Sequence, residues 1–190
     1  MLRVAALTGQ VCRRPASTAS TAARPTRRLR ILIVDGYAEA SRREFATVGL
    51  PLASVLYSEM ILSQVPRDVV VDFETVFPCT PDYTAPREEW LAQFDGCCFT
   101  GSSYSAYDDC DDVTRQIDLL NATFESGVSS FGSCWGLQVA AVAMGGTVEL
   151  SQKGREVGIG RKIALTQEGR GHPMFAGKKT AYGTLCPGAG

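Results

Sequence analysis

The stretch SSFGSCWGLQVAAVAMGG, residues 129–146, changes from a strand pattern to a helix pattern within a few residues, and it decides the fold. Its start completes a short strand, VSSFG, and residues 135–144 are apolar over a length that suits a helix. Gly132, Cys134 and Gly136 stand between them as G-x-C-x-G. In a parallel sheet such turns lie at the carboxyl ends of the strands, where ligands bind. The stretch therefore predicts an α/β fold with a functional site at Cys134.

The segments upstream repeat this alternation of strand and helix. RILIVDGY belongs to an unbroken apolar run from residue 29 to Asp35-Gly36, which predicts a strand buried on both faces. DVVVDFETVF and GCCFTG predict two more strands, and LPLASVLYSEMILSQV and REEWLAQF predict helices. TVEL and GRKIALTQ, beyond residue 146, predict shorter strands. We expect a three-layer α/β fold of the flavodoxin-like type, with a mostly parallel central sheet and helices on both faces.

Helical spacing also predicts which side chains two of the helices bury. For the first, the predicted buried face is Leu52, Val55, Leu56, Met60 and Ser63. For the helix that follows GCCFTG and its polar loop, it is Val113, Ile117, Leu120 and Phe124.

Composition excludes several classes of protein. The chain has 190 residues and a net charge of −1, so its overall charge favours neither nucleic acid nor an anionic membrane surface as a partner. No apolar run approaches the roughly 18 residues of a membrane-spanning helix. Seven cysteines without a C-x-x-C pair, and one histidine, predict neither a disulfide framework nor a metal site, and we expect no cofactor. An intracellular, reducing location follows from the cysteine usage.

The N-terminal segment has a different composition. Residues 1–28 are rich in Arg, Ser, Thr and Ala, and the first acidic residue is Asp35. This composition is typical of a mitochondrial or plastid transit peptide, and a disordered basic tail or a misassigned start codon would give the same pattern. We therefore expect a domain over residues 29–190, in the cytoplasm or in an organelle.

The chemistry predicted at Cys134 follows from the turn itself. G-x-C-x-G is the thiol counterpart of the G-x-S-x-G nucleophile elbow, in which side chains at the glycine positions would collide with neighbouring backbone. The thiol would stand at a helix N-terminus, where the helix dipole favours the thiolate. The backbone N–H of Trp135 would face an oxyanion formed on the substrate. The alternative is a buried structural cysteine at a tight turn.

Five segments in order resemble class I glutamine amidotransferases of the triad type. They are RILIVDGY, FDGCCFTGSS, FGSCWGLQVAAVAMGGTVE, GREVGIG and GHPMFAG, and the resemblance covers roughly residues 29–179. Within that family the chain is similar to free-standing proteins that resemble the glutaminase domain of GMP synthase.

The resemblance implies a reaction and a set of residues. Cys134 corresponds to the nucleophile that attacks the amide of glutamine, giving a γ-glutamyl thioester and ammonia before water releases glutamate. Trp135, with Gly101 and Ser102, corresponds to the backbone oxyanion donors. Gln138 corresponds to a residue that holds the substrate, and Glu156 lies in a segment that lines the pocket.

The catalytic base of the family is missing from its expected place. The family carries a histidine and a glutamate as H-x-E far beyond the nucleophile, and no H-x-E occurs in this sequence. His172, the only histidine, stands in GHPMFAG, which matches a structural turn of the family. We therefore expect little turnover by this chain. Either a truncated gene model or a natural short form that has lost catalysis would explain the missing base.

Three functions remain open at this point. One is a glutaminase or glutamine amidotransferase whose ammonia acceptor, if there is one, belongs to a separate synthase chain, because the sequence holds no synthetase domain and no P-loop. The second is a non-catalytic amidotransferase-like module that binds a ligand or partner. The third is a γ-glutamyl peptide hydrolase, with glutamine or another γ-glutamyl compound as its small-molecule substrate.

Overall fold

Four parallel strands carry the predicted turn. In the computed structural model, which describes residues 27–152, 163–178 and 181–182, they are β1 (Arg27–Val34), β2 (Val69–Val76), β3 (Gly96–Phe99) and β4 (Ser130–Gly132). Their order across the sheet is β2-β1-β3-β4, and every neighbouring pair is parallel. This arrangement confirms the predicted α/β class and its parallel central sheet.

The unbroken apolar run of β1 forms an inner strand of the sheet, as its pattern predicts. β1 pairs with β2 on one side and with β3 on the other. Its consecutive residues Leu32, Ile33 and Val34 are all fully buried, so both faces of the strand are covered. Burial of each such side chain contributes about 1.5–3 kcal/mol to folding.

Five helices connect or follow these strands. They are α1 (Glu39–Thr47), α2 (Ala53–Gln64), α3 (Glu88–Leu91), α4 (Asp111–Glu125) and α5 (Trp135–Ala143). The core joins the sheet to α3, α4 and α5 through buried residues such as Phe99, Leu120, Trp135 and Val139. Within the described residues, no helix is both long and apolar enough to span a membrane.

The structure corrects three predictions about these elements. The predicted buried face of α2 is wrong, because Val55, Leu56 and Met60 are 41%, 50% and 52% exposed while Ser54 is buried. In α4 the predicted Val113 and Leu120 are buried, but the predicted Phe124 is 38% exposed. The buried face also includes Gln116, Leu119 and Thr123. TVEL forms no strand, and α1 is a helix that the sequence reading did not predict.

The chain divides into two compact units, one ending at Val148 and one beginning at Glu149. In the second unit β5 (Ile163–Ala164) pairs antiparallel with β6 (Ala181–Tyr182). Between them lie α6 (Gln167–Gly171) and a single turn of 3₁₀ helix (Pro173–Phe175).

Candidate functional site

Cys134 occupies a strained turn between β4 and α5. It is the N-cap residue of α5, with φ 55° and ψ −105°, and among the described residues it is the non-glycine residue with a positive φ. A non-glycine residue held in such a conformation costs about 1–3 kcal/mol, and residues of this kind cluster at functional sites. The side chain is exposed, so the alternative of a buried structural cysteine does not hold.

The two glycines of G-x-C-x-G are required by close backbone contacts. A Cβ on Gly132 would lie 2.6 Å from the carbonyl carbon of Gly136 and 2.7 Å from its oxygen. A Cβ on Gly136 would lie 2.7 Å from the carbonyl oxygen of Phe99, at the end of β3. These contacts are the collision with neighbouring backbone that the sequence predicts.

The turn is tied directly to the end of β3. The backbone N–H of Gly136 donates to the carbonyl of Thr100 at 3.2 Å, and that of Ser133 donates to Phe99 at 3.5 Å. Because α5 begins at Trp135, the backbone N–H of Trp135 belongs to the first helical turn, whose N–H groups have no partner within the helix. The structure therefore brings the Trp135 N–H and the loop after β3 to the same edge of the sheet.

The loop that holds Gly101 and Ser102 is held in turn by the loop after β1. The Ser102 hydroxyl donates to the carbonyl of Gly36 at 2.7 Å and accepts from the backbone N–H of Tyr104 at 3.2 Å. The backbone N–H of Gly36 donates to the Thr100 hydroxyl at 3.0 Å. These bonds fix the backbone of the loop that carries the predicted oxyanion donors.

Gln138 lies one helical turn into α5 and connects the turn at Cys134 to the loop after β3. Its backbone N–H donates to the carbonyl of Cys134 at 3.2 Å, and its side-chain oxygen accepts from the backbone N–H of Ala106 at 3.3 Å. The carboxamide is thus held near the turn with its amide N–H groups as donors. Glu156 lies outside the described residues.

Two tyrosines that the sequence reading missed lie beside the turn. Burial raises the pKa of Tyr37, and the nearby Cys134 thiolate adds to that rise. Burial also raises the pKa of Tyr57 on α2, whose hydroxyl interacts with the Ser133 side chain. Tyr37 directly follows Asp35-Gly36, where β1 ends. Its position at the carboxyl edge of the sheet is the sequence signal that could have identified it.

A buried polar network supports the turn from beneath. The Trp135 indole N–H donates to the side-chain oxygen of Gln116 at 2.7 Å. The Gln116 amide donates to the Cys79 sulfur at 3.2 Å and to the carbonyl of Asp112 at 3.1 Å. Gln116 and Trp135 are almost completely buried, and a Cβ on Gly36 would lie 2.8 Å from both side chains. Gln116 therefore positions the residue that directly follows Cys134.

Asp35 anchors α2 to the carboxyl end of β1. It is fully buried, and its carboxylate accepts from the backbone N–H groups of Ser54 at 3.0 Å and Tyr37 at 3.3 Å. Ser54 is the second residue of α2, so the carboxylate satisfies a free helix N–H and complements the helix dipole. The same side chain thus fixes the backbone at Tyr37 and the start of the helix that carries Tyr57.

Other described cysteines are less suited to nucleophilic chemistry. Burial raises the pKa of Cys79 to about 12 and that of Cys98 to about 11, and it raises the pKa of Cys97 further. Cys97 lies in the hydrophobic core, which agrees with its interpretation as a small apolar residue of a strand. Cys110 is half-buried.

His172 has a local structural role in the second unit. Its Nδ1 accepts from the backbone N–H of Met174 at 3.2 Å, and it caps the 3₁₀ turn Pro173–Phe175. This local capping contact agrees with the structural turn that the sequence predicts for GHPMFAG.

Comparisons with known proteins agree with the resemblance drawn from the motifs. The model of the class-I glutamine amidotransferase family matches residues 55–185. A γ-glutamyl-L-1-hydroxyisopropylamide hydrolase of Pseudomonas sp. is 33% identical over 160 residues, which is 82% of this chain and 52% of that protein. γ-Glutamyl peptidase 4 of Arabidopsis thaliana is 32% identical over 83 residues, which is 44% of this chain and 33% of the peptidase. The chain thus spans about half or less of the length of these relatives, and no solved structure matches it.

Proposed function

This chain belongs to the class-I glutamine amidotransferase family, and from that premise we propose that it cleaves γ-glutamyl amide bonds with Cys134 as the nucleophile. The observation that carries the proposal is the turn at Cys134, where an exposed thiol is held at a positive φ beside backbone N–H donors. Both relatives are named for action on γ-glutamyl compounds, which favours a γ-glutamyl amide as the substrate.

The proposed reaction has two steps. The Cys134 thiolate attacks the γ-carbonyl carbon, and the carbonyl oxygen takes up negative charge that the N–H groups of Gly101, Ser102 and Trp135 stabilise. The C–N bond then breaks, and the amine or ammonia leaves with a proton taken from solvent, in place of the proton that the Cys134 thiol released when it formed the thiolate. Water hydrolyses the resulting γ-glutamyl thioester to glutamate and restores the thiol.

Substrate binding in this proposal uses the residues around the turn. The side-chain amide of Gln138 donates to the glutamyl group. The hydrogen bond that this side chain accepts from the backbone N–H of Ala106 orients the amide. For Glu156 we propose only that it contacts the glutamyl group of the substrate. Since the matched relatives are named as a hydrolase and a peptidase, free release of the amine or ammonia is better supported than transfer of ammonia to a separate synthase.

Proton transfer limits the activity expected of these 190 residues. The sequence holds no H-x-E, and the Nδ1 of His172 is engaged by its own turn. Loss of one member of a catalytic triad typically costs about 10⁴–10⁶ in rate. We therefore propose that this chain is acylated at Cys134 by reactive substrates but turns over γ-glutamyl amides only slowly.

The test combines a covalent probe with a turnover assay. The diazo ketone analogue of glutamine should label Cys134, and the label should be absent from Cys134→Ser. Release of glutamate from glutamine should stay near background, and His172→Ala should change neither result. Substantial turnover that is lost in His172→Ala would make His172 the base. Absence of any label would favour the non-catalytic module.

A further inference from the structure

An apolar groove lies beside the proposed oxyanion loop. It encloses about 170 Å³ and is lined by Tyr37, Phe45, Leu50, Pro51, Ala53 and Leu56, none of which is charged. The ring of Tyr37 packs edge-on against Phe45, with 5.0 Å between the ring centroids. The walls therefore come from the loop after β1, from α1, from the loop between α1 and α2, and from the start of α2.

Tyr37 is the wall that this groove shares with the site at Cys134. Its hydroxyl oxygen lies 3.6 Å from the position that a Cβ on Gly101 would occupy. The carbonyl of Gly36, the preceding residue, accepts from the Ser102 hydroxyl at 2.7 Å. Tyr37 therefore borders both the groove and the proposed oxyanion loop, and the contribution of Cys134 to the raised pKa of Tyr37 agrees with that placement.

The opposite wall is connected to the turn by α2. Ala53 and Leu56 line the groove, and the next residue, Tyr57, interacts with the side chain of Ser133. Asp35 holds the start of this helix and the backbone of Tyr37 at once, so the two walls are fixed together.

We propose that this groove receives the amine side of the substrate and that the preferred substrates are γ-glutamyl amides of small, neutral, apolar amines. The inference rests on the proposed γ-glutamyl function. In an amide, the first atom of the amine substituent lies two bonds from the carbon that Cys134 attacks, so the substituent must occupy space next to the oxyanion loop. An apolar groove there stabilises alkyl groups and excludes a charged substituent, whose desolvation it cannot compensate.

A protection assay tests the groove without requiring turnover. The full chain is alkylated with iodoacetamide, and the rate at Cys134 is measured against the concentration of γ-glutamylisopropylamide, glutamine or γ-glutamylglycine. We expect the isopropylamide to halve the rate at about a tenfold lower concentration than glutamine, the discrimination that a few methyl groups provide in an apolar pocket. γ-Glutamylglycine, with a carboxylate on its amine side, should protect no better than glutamine.

Variants separate the groove from the rest of the site. Ala53→Phe fills the groove, and Leu50→Asp adds a charge at a side chain that is 57% exposed, where disruption of the core is not expected. Both should remove the advantage of the isopropylamide while glutamine protects as before. Val55→Phe, on the same helix but outside the groove, should retain the advantage.

The outcomes of these assays distinguish the groove assignment from the proposed γ-glutamyl function. Equal protection by all three compounds, or an advantage that survives both groove variants, would overturn the groove assignment and leave the γ-glutamyl function standing. Failure of every γ-glutamyl compound to protect Cys134 would overturn the proposed function and the groove assignment with it.

Discussion

At the scale of single residues, the geometry of Cys134 distinguishes it from the other thiols. It is exposed at a helix N-terminus, whereas Cys79 and Cys98 have pKa values raised to about 12 and about 11 by burial. At pH 8 only about a thousandth of the Cys98 thiol would be ionised. Alkylation requires the thiolate, so burial disfavours Cys79 and Cys98, whereas Cys134 is accessible.

The first prediction concerns this reactivity. Brief treatment with iodoacetamide at pH 8, followed by peptide mapping, should modify Cys134 before Cys79, Cys97 and Cys98. The advantage should shrink as the pH rises toward 11, because the buried thiols then begin to ionise. Modification of Cys97 or Cys98 ahead of Cys134 at pH 8 would be incompatible with the elbow.

The second prediction concerns Gly136. Gly136→Ala places a Cβ 2.7 Å from the Phe99 carbonyl oxygen, so backbone must shift and the free energy of unfolding should fall by about 1–3 kcal/mol. Denaturant titration measures the loss. Leu137→Ala is the matched control on the same helix, since the Leu137 side chain is 65% exposed, and it should change stability little. Equal stability of the two variants would show that the turn has room for a side chain.

The third prediction concerns Gln116. Gln116→Leu leaves the buried indole N–H of Trp135 without its acceptor, which should cost about 1–3 kcal/mol and slow the labelling of Cys134 by the glutamine diazo ketone. Thr123→Val, in the same helix, removes a buried hydroxyl that donates to the carbonyl of Leu119 and interacts with the Cys97 thiol, away from Trp135. It should leave the labelling rate unchanged. If both variants label at the wild-type rate, Gln116 is only a packing residue.

At the scale of elements, local patterns predict strands and turns better than they predict helix faces. The apolar run of β1 and the G-x-C-x-G turn depend on neighbouring residues, and both are where the sequence places them. The buried face of α2 could not be read from its spacing, because apolar residues lie around the whole helix and Asp35, far away in sequence, decides that Ser54 is buried. Gln116 and Tyr37 join the site through contacts between distant segments, which periodicity does not reveal.

The fourth prediction concerns how α2 is anchored. Asp35→Ala leaves the buried N–H of Ser54 without an acceptor and should lower the free energy of unfolding by about 1–3 kcal/mol. Because α2 forms one wall of the groove, the variant should also weaken protection of Cys134 by γ-glutamylisopropylamide. Asp35→Asn keeps one acceptor oxygen for the N–H of Ser54 but turns its NH2 group toward the N–H of Tyr37, so it should recover only part of both losses. A stable Asp35→Ala protein with normal protection would show that α2 is held by its other contacts.

At the scale of the whole molecule, the parallel sheet explains why distant motifs act together. The strand order β2-β1-β3-β4 places the carboxyl ends of β1, β3 and β4 side by side. Those ends supply Tyr37, the loop with Gly101 and Ser102, and Cys134.

Family membership and fold were predictable because five motifs occur in the family's order. The relatives are about twice as long as the matched part or longer, so the activity of the whole protein remains a proposal.

Detection of the γ-glutamyl thioester on Cys134 would establish this residue as the nucleophile. An activated γ-glutamyl ester, whose leaving group needs no proton, is mixed with the chain, quenched in acid and analysed by intact mass and peptide mapping. We predict one γ-glutamyl group per chain, attached to Cys134 and absent from Cys134→Ser. An unmodified chain, or acylation that persists in Cys134→Ser, would contradict the assignment of Cys134 as the nucleophile.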